Sequence, residues 1–134
     1  MAKIMIVDDD PFARRLMRDS LDLSGDAHRI LDVDRGMLAL DLIAVERPDV
    51  VLLDISMPEV GGIPVCTEIK RNRVTAEVRI VIVSAHSGSG FIAECISAGA
   101  DDYVTKPFQP DDLARRVRRQ LIEVVTAHSV SLAR

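Results

Sequence analysis

Three apolar runs of four residues constrain the fold of this chain more than any other feature. They are Ile4–Val7, Val50–Leu53 and Ile80–Val83, and each is followed directly by an Asp or a Ser. A strand that is apolar at every position must be covered on both faces, which is typical of parallel sheets with helices on either side. Two weaker candidates, Arg29–Val33 and Asp102–Val104, bring the number of predicted strands to five.

Helical periodicity fills the segments between the predicted strands. Asp10-Pro11 is typical of an N-cap followed by Pro at the first helical position, and the helix that follows is expected to turn Arg14, Arg15 and Arg18 away from the core. Asp34 is expected to cap a second helix. The other predicted helices cover Val60–Ile69, Gly90–Gly99 and Pro110–Thr126. The alternation predicts a (βα)₅ chain, which forms a doubly wound α/β sandwich.

Length and composition exclude several classes of protein. A chain of 134 residues has room for one domain, and 48% hydrophobic with 28% charged residues is typical of a globular protein. Its apolar runs are far shorter than the roughly 18–20 residues of a membrane span, and the N-terminus does not resemble a secretory signal. Cys66 and Cys95 are too few for a disulfide framework or a zinc site and are expected to be inert core thiols of a cytoplasmic protein. A net charge of −4 and only three Phe and one Tyr argue against nucleic acid as a direct partner.

Polar residues follow the predicted strands at their carboxyl ends. Asp8-Asp9-Asp10 follows the first strand, Asp54 the third, Ser84 the fourth and Lys106 the fifth. The carboxyl ends of parallel strands meet at one edge of the sheet, where doubly wound folds bind ligands. Crowded carboxylates resist ionisation unless a cation lies among them, and oxygen ligands favour a hard ion such as Mg²⁺. With charge neutralised in this way, a carboxylate can act as a nucleophile toward a phosphoryl group.

Four stretches of the chain resemble the receiver domains of two-component response regulators. In chain order they are Ile4–Asp10, Val50–Pro58, Ile80–Ala85 and Ala98–Phe108. The resemblance covers residues 3 to about 125 and implies a flavodoxin-like, three-layer α/β/α sandwich with a five-stranded parallel sheet in the order 2-1-3-4-5. It implies a receiver domain over residues 1–126, which leaves 127–134 as a C-terminal tail or linker stub.

The resemblance also implies a phospho-acceptor and a metal site. Asp54 would take a phosphoryl group from a phosphohistidine. The metal would be Mg²⁺, with Mn²⁺ as a substitute. Its ligands would be Asp9 directly, Asp8 largely through a bound water, the Asp54 carboxylate and the backbone carbonyl of Ser56. Asp10 is left out of this set because it is expected to cap the first helix.

Further residues receive roles from the same resemblance. Lys106 would pair with the phosphoryl oxygens, and Lys106-Pro107 is expected to be a cis peptide. Ser84 and Tyr103 would form the switch pair. Ser56 and His86 occupy positions that, in this family, tune how fast water removes the phosphoryl group, although a plain loop histidine is the favoured interpretation of His86.

The implied function is a phosphorylation-dependent signalling switch that catalyses only its own phosphorylation and dephosphorylation. Its expected partners are a sensor histidine kinase or a histidine phosphotransfer protein, and a downstream protein target or output domain. A phosphorylation-dependent homodimer is a further expected form, with no role for nucleic acid or a membrane. The surface expected to respond consists of the helix Gly90–Gly99, the fifth strand and the helix Pro110–Thr126.

Two alternatives stay open at this point. A small Mg²⁺-dependent phosphohydrolase of the haloacid dehalogenase type would use Asp8 as nucleophile and Asp10 as acid/base. Against it, Pro11-Phe12 replaces the expected Gly-Thr, and no acidic pair follows Lys106 on a strand. The other alternative is a pure interaction module on a degenerate receiver fold, which would have no need for a full set of mutually repelling carboxylates.

Overall fold

Five strands alternate with five helices in a computed structural model that describes the backbone of residues 1–132 and the side chains of residues 1–126. The elements are β1 (Ala2–Val7), α1 (Pro11–Leu23), β2 (His28–Val33), α2 (Gly36–Glu46), β3 (Val50–Leu53), α3 (Gly62–Arg71), β4 (Arg79–Ser84), α4 (Ser89–Ser97), β5 (Asp102–Thr105) and α5 (Pro110–Leu132). This order confirms the predicted (βα)₅ chain.

All neighbouring strands pair in parallel, in the order β2-β1-β3-β4-β5. The three apolar runs form the central strands β1, β3 and β4, and every residue of these runs is buried. The two weaker strand candidates form the edges β2 and β5, because an edge strand has a neighbour on one side only and tolerates polar residues. The flavodoxin-like strand order is confirmed.

Alternate residues of the central strands point into two separate cores, as the two-residue period of a strand requires. Met5 and Val7 pack with residues of α2, α3 and α4, whereas Ile4 and Ile6 pack with α1 and α5. The three-layer sandwich is therefore confirmed. Cys66 and Cys95 are buried in the first core, where burial raises the pKa of both thiols, that of Cys66 to about 11.

The N-terminus of α1 is the one predicted from the sequence, whereas those of α2 and α3 differ from the prediction. Asp10 caps α1 by accepting a 3.0 Å hydrogen bond from Phe12 N. The prediction that Asp34 caps α2 is wrong: the N-cap is Arg35, and Asp34 Oδ1 instead accepts a bond from Arg35 Nε at 3.0 Å. The periodicity placed Val60 within the third helix, but α3 begins only at Gly62.

Helix α5 is longer than the sequence pattern predicts. Its backbone stays helical to Leu132, past the expected end at Thr126, and residues 133–134 lie outside the described part of the chain. The assignment of 127–134 as a tail or linker stub stays a prediction. No helix among the described residues is both long enough and apolar enough to cross a bilayer.

Candidate functional site

The carboxyl ends of β1 and β3 bring three carboxylates together. Asp8 and Asp54 are 1% and 6% exposed, whereas Asp9 is exposed. One oxygen from each of the three carboxylates lies within 4.8 Å of the other two. Asp10 is absent from this group because its carboxylate caps α1. The topology therefore assembles an oxygen-only cluster of the kind that a hard cation prefers.

Lys106 reaches this cluster from the end of β5. Its Nζ lies 2.7 Å from Asp8 Oδ2 and 3.9 Å from Asp54 Oδ1. Its backbone N–H donates a 2.7 Å bond to the carbonyl of Ser84, directly before a cis Lys106-Pro107 peptide. The ammonium group is thus held against two carboxylates that are almost fully removed from water.

The charge at Asp54 is only partly compensated. Burial, and then the nearby charge of Asp8, raise the pKa of the Asp54 carboxyl above its usual value. Lys106 and the backbone N–H groups of Ser56 and Ile55 act in the opposite direction and do not cancel the effect. A bound divalent cation would supply the missing positive charge, so the electrostatics and the oxygen donors both fit Mg²⁺.

Asp8 differs from its neighbours because both of its carboxylate oxygens already have partners. Oδ1 accepts a 2.9 Å bond from Asp10 N, and Oδ2 accepts the bond from Lys106. A carboxylate held in this way suits contact with a metal through water better than direct ligation, and it has little freedom to act as a nucleophile.

Ser84 and Tyr103 meet at one residue of the β4–α4 loop. Ser84 is fully buried at the end of β4, and its Oγ accepts a 3.3 Å bond from His86 N. The Tyr103 side chain points inward, with only 9% of the residue exposed, and its hydroxyl donates a 2.6 Å bond to the carbonyl of His86. The hydroxyl at the site and the aromatic ring on β5 are therefore linked through the backbone of His86.

The side chain of His86 lies at the exposed mouth of the site. Its Nε2 is 3.3 Å from Ser56 Oγ, and its ring packs at 4.5 Å against the ring of Phe91 on α4. His86 thus contacts the loop after β3, the strand β5 and the helix α4. The family resemblance assigned roles to Ser56 and His86 but none to Phe91.

Two further residues support the cluster without having been predicted to do so. Arg14 Nη1 donates a 2.7 Å bond to the carbonyl of Asp8, although the periodicity placed Arg14 on the outer side of α1 beside Arg15 and Arg18. Gly62 lies so close to β3 that a Cβ there would be 2.4 Å from the carbonyl oxygen of Asp54. A glycine at the start of α3 is a weak sequence signal, and nothing in the sequence separates Arg14 from the other arginines.

Comparison with known proteins identifies the family. The family model described as response regulator receiver domain matches residues 4–118. The chain is 34% identical to the chemotaxis protein CheY of Bacillus subtilis over 119 residues, which cover 89% of this chain and 97% of CheY. It is 38% identical over 122 residues to the probable transcriptional regulator ycf27 of Guillardia theta, covering 89% of this chain and 45% of that protein.

Solved structures agree with this result. The BeF3-activated receiver domain of DrrB, from Thermotoga maritima, superposes with a TM-score of 0.80 at 34% identity, covering 90% of this chain and 97% of that one.

The chain also spans about half the length of the DNA-binding regulator RpaA of Synechocystis, which is 34% identical over 90% of this chain. The chain belongs to the response regulator receiver domain family, the signalling switches of two-component systems.

Proposed function

We propose that this chain is a phosphorylation-dependent switch in which Asp54 accepts a phosphoryl group from a phosphohistidine. The observation that carries the proposal is the buried Asp54 carboxylate, which shares a 4.8 Å cluster with Asp8 and Asp9 and lies 3.9 Å from the ammonium of Lys106. This arrangement combines a nucleophile with positive charge on the side where phosphoryl oxygens would lie.

The transfer is a displacement at phosphorus. A carboxylate oxygen of Asp54 forms the new O–P bond while the N–P bond to the donor imidazole breaks and its electron pair returns to the ring nitrogen. Lys106 pairs with the phosphoryl oxygens, and the Ser84 hydroxyl donates a hydrogen bond to one of them. Hydrolysis later returns the Asp54 carboxylate and inorganic phosphate.

The residues that would hold Mg²⁺ are the carboxylates of Asp9 and Asp54, the backbone carbonyl of Ser56 and, through water, Asp8. When bound, the cation neutralises the charge that crowds the carboxylates and the incoming phosphoryl group. Asp9 suits direct ligation because it is exposed, and Asp8 suits the indirect role because both of its oxygens are engaged.

The switch would act through Ser84, His86 and Tyr103. Phosphorylation draws the Ser84 hydroxyl toward Asp54, and this motion is passed through the backbone of His86 to Tyr103 on β5. The surface that responds is formed by α4, β5 and α5, where Phe91 contacts His86 and Arg116 on α5 pairs with Asp102 on β5 at 2.8 Å.

The proposed partners follow from this role. A sensor histidine kinase or a histidine phosphotransfer protein supplies the phosphoryl group, and a downstream protein target or output domain reads the α4-β5-α5 surface. Several of the relatives that extend well beyond the matched region are named as transcriptional regulators, which supports an output domain as one form of readout. The phosphohydrolase alternative is disfavoured, because its nucleophile would be the fully engaged Asp8.

Labelling with acetyl phosphate and Mg²⁺ tests the proposal. The wild type should form an acid-stable, base-labile acyl phosphate at Asp54, which EDTA prevents. Asp54→Asn should abolish the label, whereas Asp10→Asn, which keeps a helix-capping side chain, should leave it intact. Unchanged labelling of Asp54→Asn, with the phosphoryl group on Asp8, would support the phosphohydrolase alternative.

A further inference from the structure

Arg14 binds the backbone next to the carboxylate cluster of Asp8, Asp9 and Asp54. Its Nη1 donates a 2.7 Å hydrogen bond to the carbonyl of Asp8. Asp8 N makes the last bond of this segment to β2, donating to the carbonyl of Val33 at 3.1 Å. The chain then leaves the sheet and enters α1, so Arg14 takes the place of a neighbouring strand as the donor to the Asp8 carbonyl.

The bond matters because Asp9 has little else to orient it. The Asp9 side chain is exposed, and among the described side chains of residues 1–126 no hydrogen bond restrains its carboxylate. The Asp8-Asp9 peptide is planar, so a donor that holds the Asp8 carbonyl also sets the plane from which Asp9 extends. A 2.9 Å bond from Asp10 N to Asp8 Oδ1 restrains the other side of the turn.

We propose that Arg14 is a positioning residue for the divalent cation, which fixes the Asp8-Asp9 peptide so that the Asp9 carboxylate faces Asp8 and Asp54. This inference rests on the proposed function, because it assumes that the cluster binds Mg²⁺. It assigns Arg14 no contact with the ion or with a phosphoryl group.

The positive charge of Arg14 by itself would weaken Mg²⁺ binding, whereas a positioning role strengthens it. The pKa of the Asp34 carboxyl is lowered first by the hydrogen bond from Arg35 and also by the charge of Arg14. The positive charge of Arg14 therefore acts on groups at the carboxyl ends of β1 and β2. Positive charge near a cation site opposes binding, so its removal should tighten Mg²⁺ binding if electrostatics were the whole effect. A positioning role predicts weaker binding, and the two explanations therefore differ in sign.

The neighbouring residue on the same helix is a matched control. The Arg15 side chain is 83% exposed and lies 3.9 Å from Asp19 one turn along α1. Arg15→Met removes the same charge from the same helix as Arg14→Met, but it leaves the bond to Asp8 in place. Arg14→Lys restores the charge and a single donor without the planar guanidinium.

Titration of each purified protein with MgCl₂, followed by calorimetry and by the amide NMR shifts around the cluster, tests the inference without phosphorylation. We expect Mg²⁺ to bind Arg14→Met about tenfold more weakly than wild type, as is common when a residue that orients a ligand is lost. Arg15→Met should stay within about twofold of wild type, and Arg14→Lys should fall between wild type and Arg14→Met. Thermal melts without metal check that the variants are folded.

The outcomes separate the inference from the function on which it rests. Equal or tighter Mg²⁺ binding by folded Arg14→Met would overturn the positioning role while the proposed function stands. If the wild type itself binds no Mg²⁺ at millimolar concentration, both fail. If Arg14→Met does not fold, Arg14→Lys decides: binding weakened several-fold supports the role, and wild-type affinity contradicts it.

Discussion

The hydroxyl of Tyr103 donates a 2.6 Å hydrogen bond to the carbonyl of His86, and the amide of the same His86 donates to Ser84 Oγ at 3.3 Å. One loop residue thus joins the hydroxyl at the end of β4 to the aromatic ring on β5 through its two backbone polar groups. A displacement of the Ser84 hydroxyl toward Asp54 would pull on the loop that anchors Tyr103. This chain of hydrogen bonds supports the proposed route from the Asp54 site to the α4-β5-α5 surface.

This route predicts how the protein responds to beryllofluoride, a phosphoryl mimic. The wild type should show amide shift changes both around Asp54 and along α4, β5 and α5. Ser84→Ala should keep the changes near Asp54 and lose most of the remote ones, because the residue that transmits the motion is gone. Ser87→Ala, an exposed serine of the same loop, should behave like wild type. Wild-type changes confined to the neighbourhood of Asp54 would refute the switch.

Lys106 should be needed for stability as well as for signalling. In Lys106→Met the carboxylates of Asp8 and Asp54 stay buried without their ammonium partner, which should cost roughly 2–3 kcal/mol in the absence of metal. Part of this loss should return on addition of Mg²⁺. Lys3→Met is the control, because Lys3 pairs with Glu46 at 3.0 Å on a partly exposed surface and should cost no more than about 1 kcal/mol. Equal denaturant midpoints for the two variants would contradict this account.

Asp54→Asn should stabilise the metal-free protein at neutral pH. Because burial and Asp8 raise the pKa of Asp54 above its usual 3.8, the native state binds a proton more tightly than the unfolded chain. Stability therefore falls as the pH rises from the unfolded pKa through the raised native pKa, and the destabilisation is present at neutral pH. The Asn side chain carries no charge, so the Asp54→Asn variant does not have this destabilisation.

Thermal melts over a range of pH in EDTA measure this effect. At pH 7 the melting temperature of Asp54→Asn should exceed that of wild type by on the order of 4 °C, or about 1 kcal/mol for a domain of this size. The gain should disappear below about pH 4, where both states of the wild type are protonated. Mg²⁺ should stabilise the wild type but not Asp54→Asn. A lower melting temperature for the variant at pH 7 would show that the carboxylate is not destabilising.

Gly62→Ala should disturb the site through the backbone. The added Cβ would lie 2.4 Å from the Asp54 carbonyl oxygen and 2.8 Å from Ile55 Cα, and backbone atoms at the end of a buried strand have little room to move. We expect a loss of about 1–3 kcal/mol in urea unfolding and slower phosphorylation. Gly90→Ala in α4 is the control, since its Cβ would meet nothing within 4 Å and should be neutral or slightly stabilising. Matching behaviour of the two variants would exclude the close approach as the cause.

Most of the fold could be predicted from the sequence because its strongest signals are local. A run such as Val50–Leu53 has no polar face, so it must lie in the middle of a covered sheet, and the residue that follows it must lie at the sheet edge. The same reasoning predicts that Asp8, Asp54, Ser84 and Lys106 lie at one edge of the sheet. Helix α2 ends at Glu46 for a similarly local reason, because Arg47 precedes Pro48 and a residue before a proline is disfavoured in the α-helical conformation.

The errors arose where another contact overrode the expected local signal, or where a helix continued beyond its apolar period. Asp34 has a good capping side chain, but it bonds to the guanidinium of Arg35 instead. The apolar period of the third helix included Val60, yet α3 begins at Gly62, whose backbone lies close against the end of β3. Helix α5 continues past the point where its apolar period ends, and periodicity reports only the part of a helix that is packed against a core.

The sequence by itself determined the layered fold, the strand ends that carry the chemistry and the set of carboxylates with one ammonium. Only the tertiary structure decided how these groups share their contacts. Asp8 is engaged at both oxygens while Asp9 is exposed, His86 joins Ser84 to Tyr103, and Arg14 rather than Arg15 turns back to the sheet. The physical reason is that strands and helices form through interactions between residues a few positions apart, which the periodicity of the sequence reports. Hydrogen bonds across the site depend on distances between separate strands and helices, which periodicity does not specify.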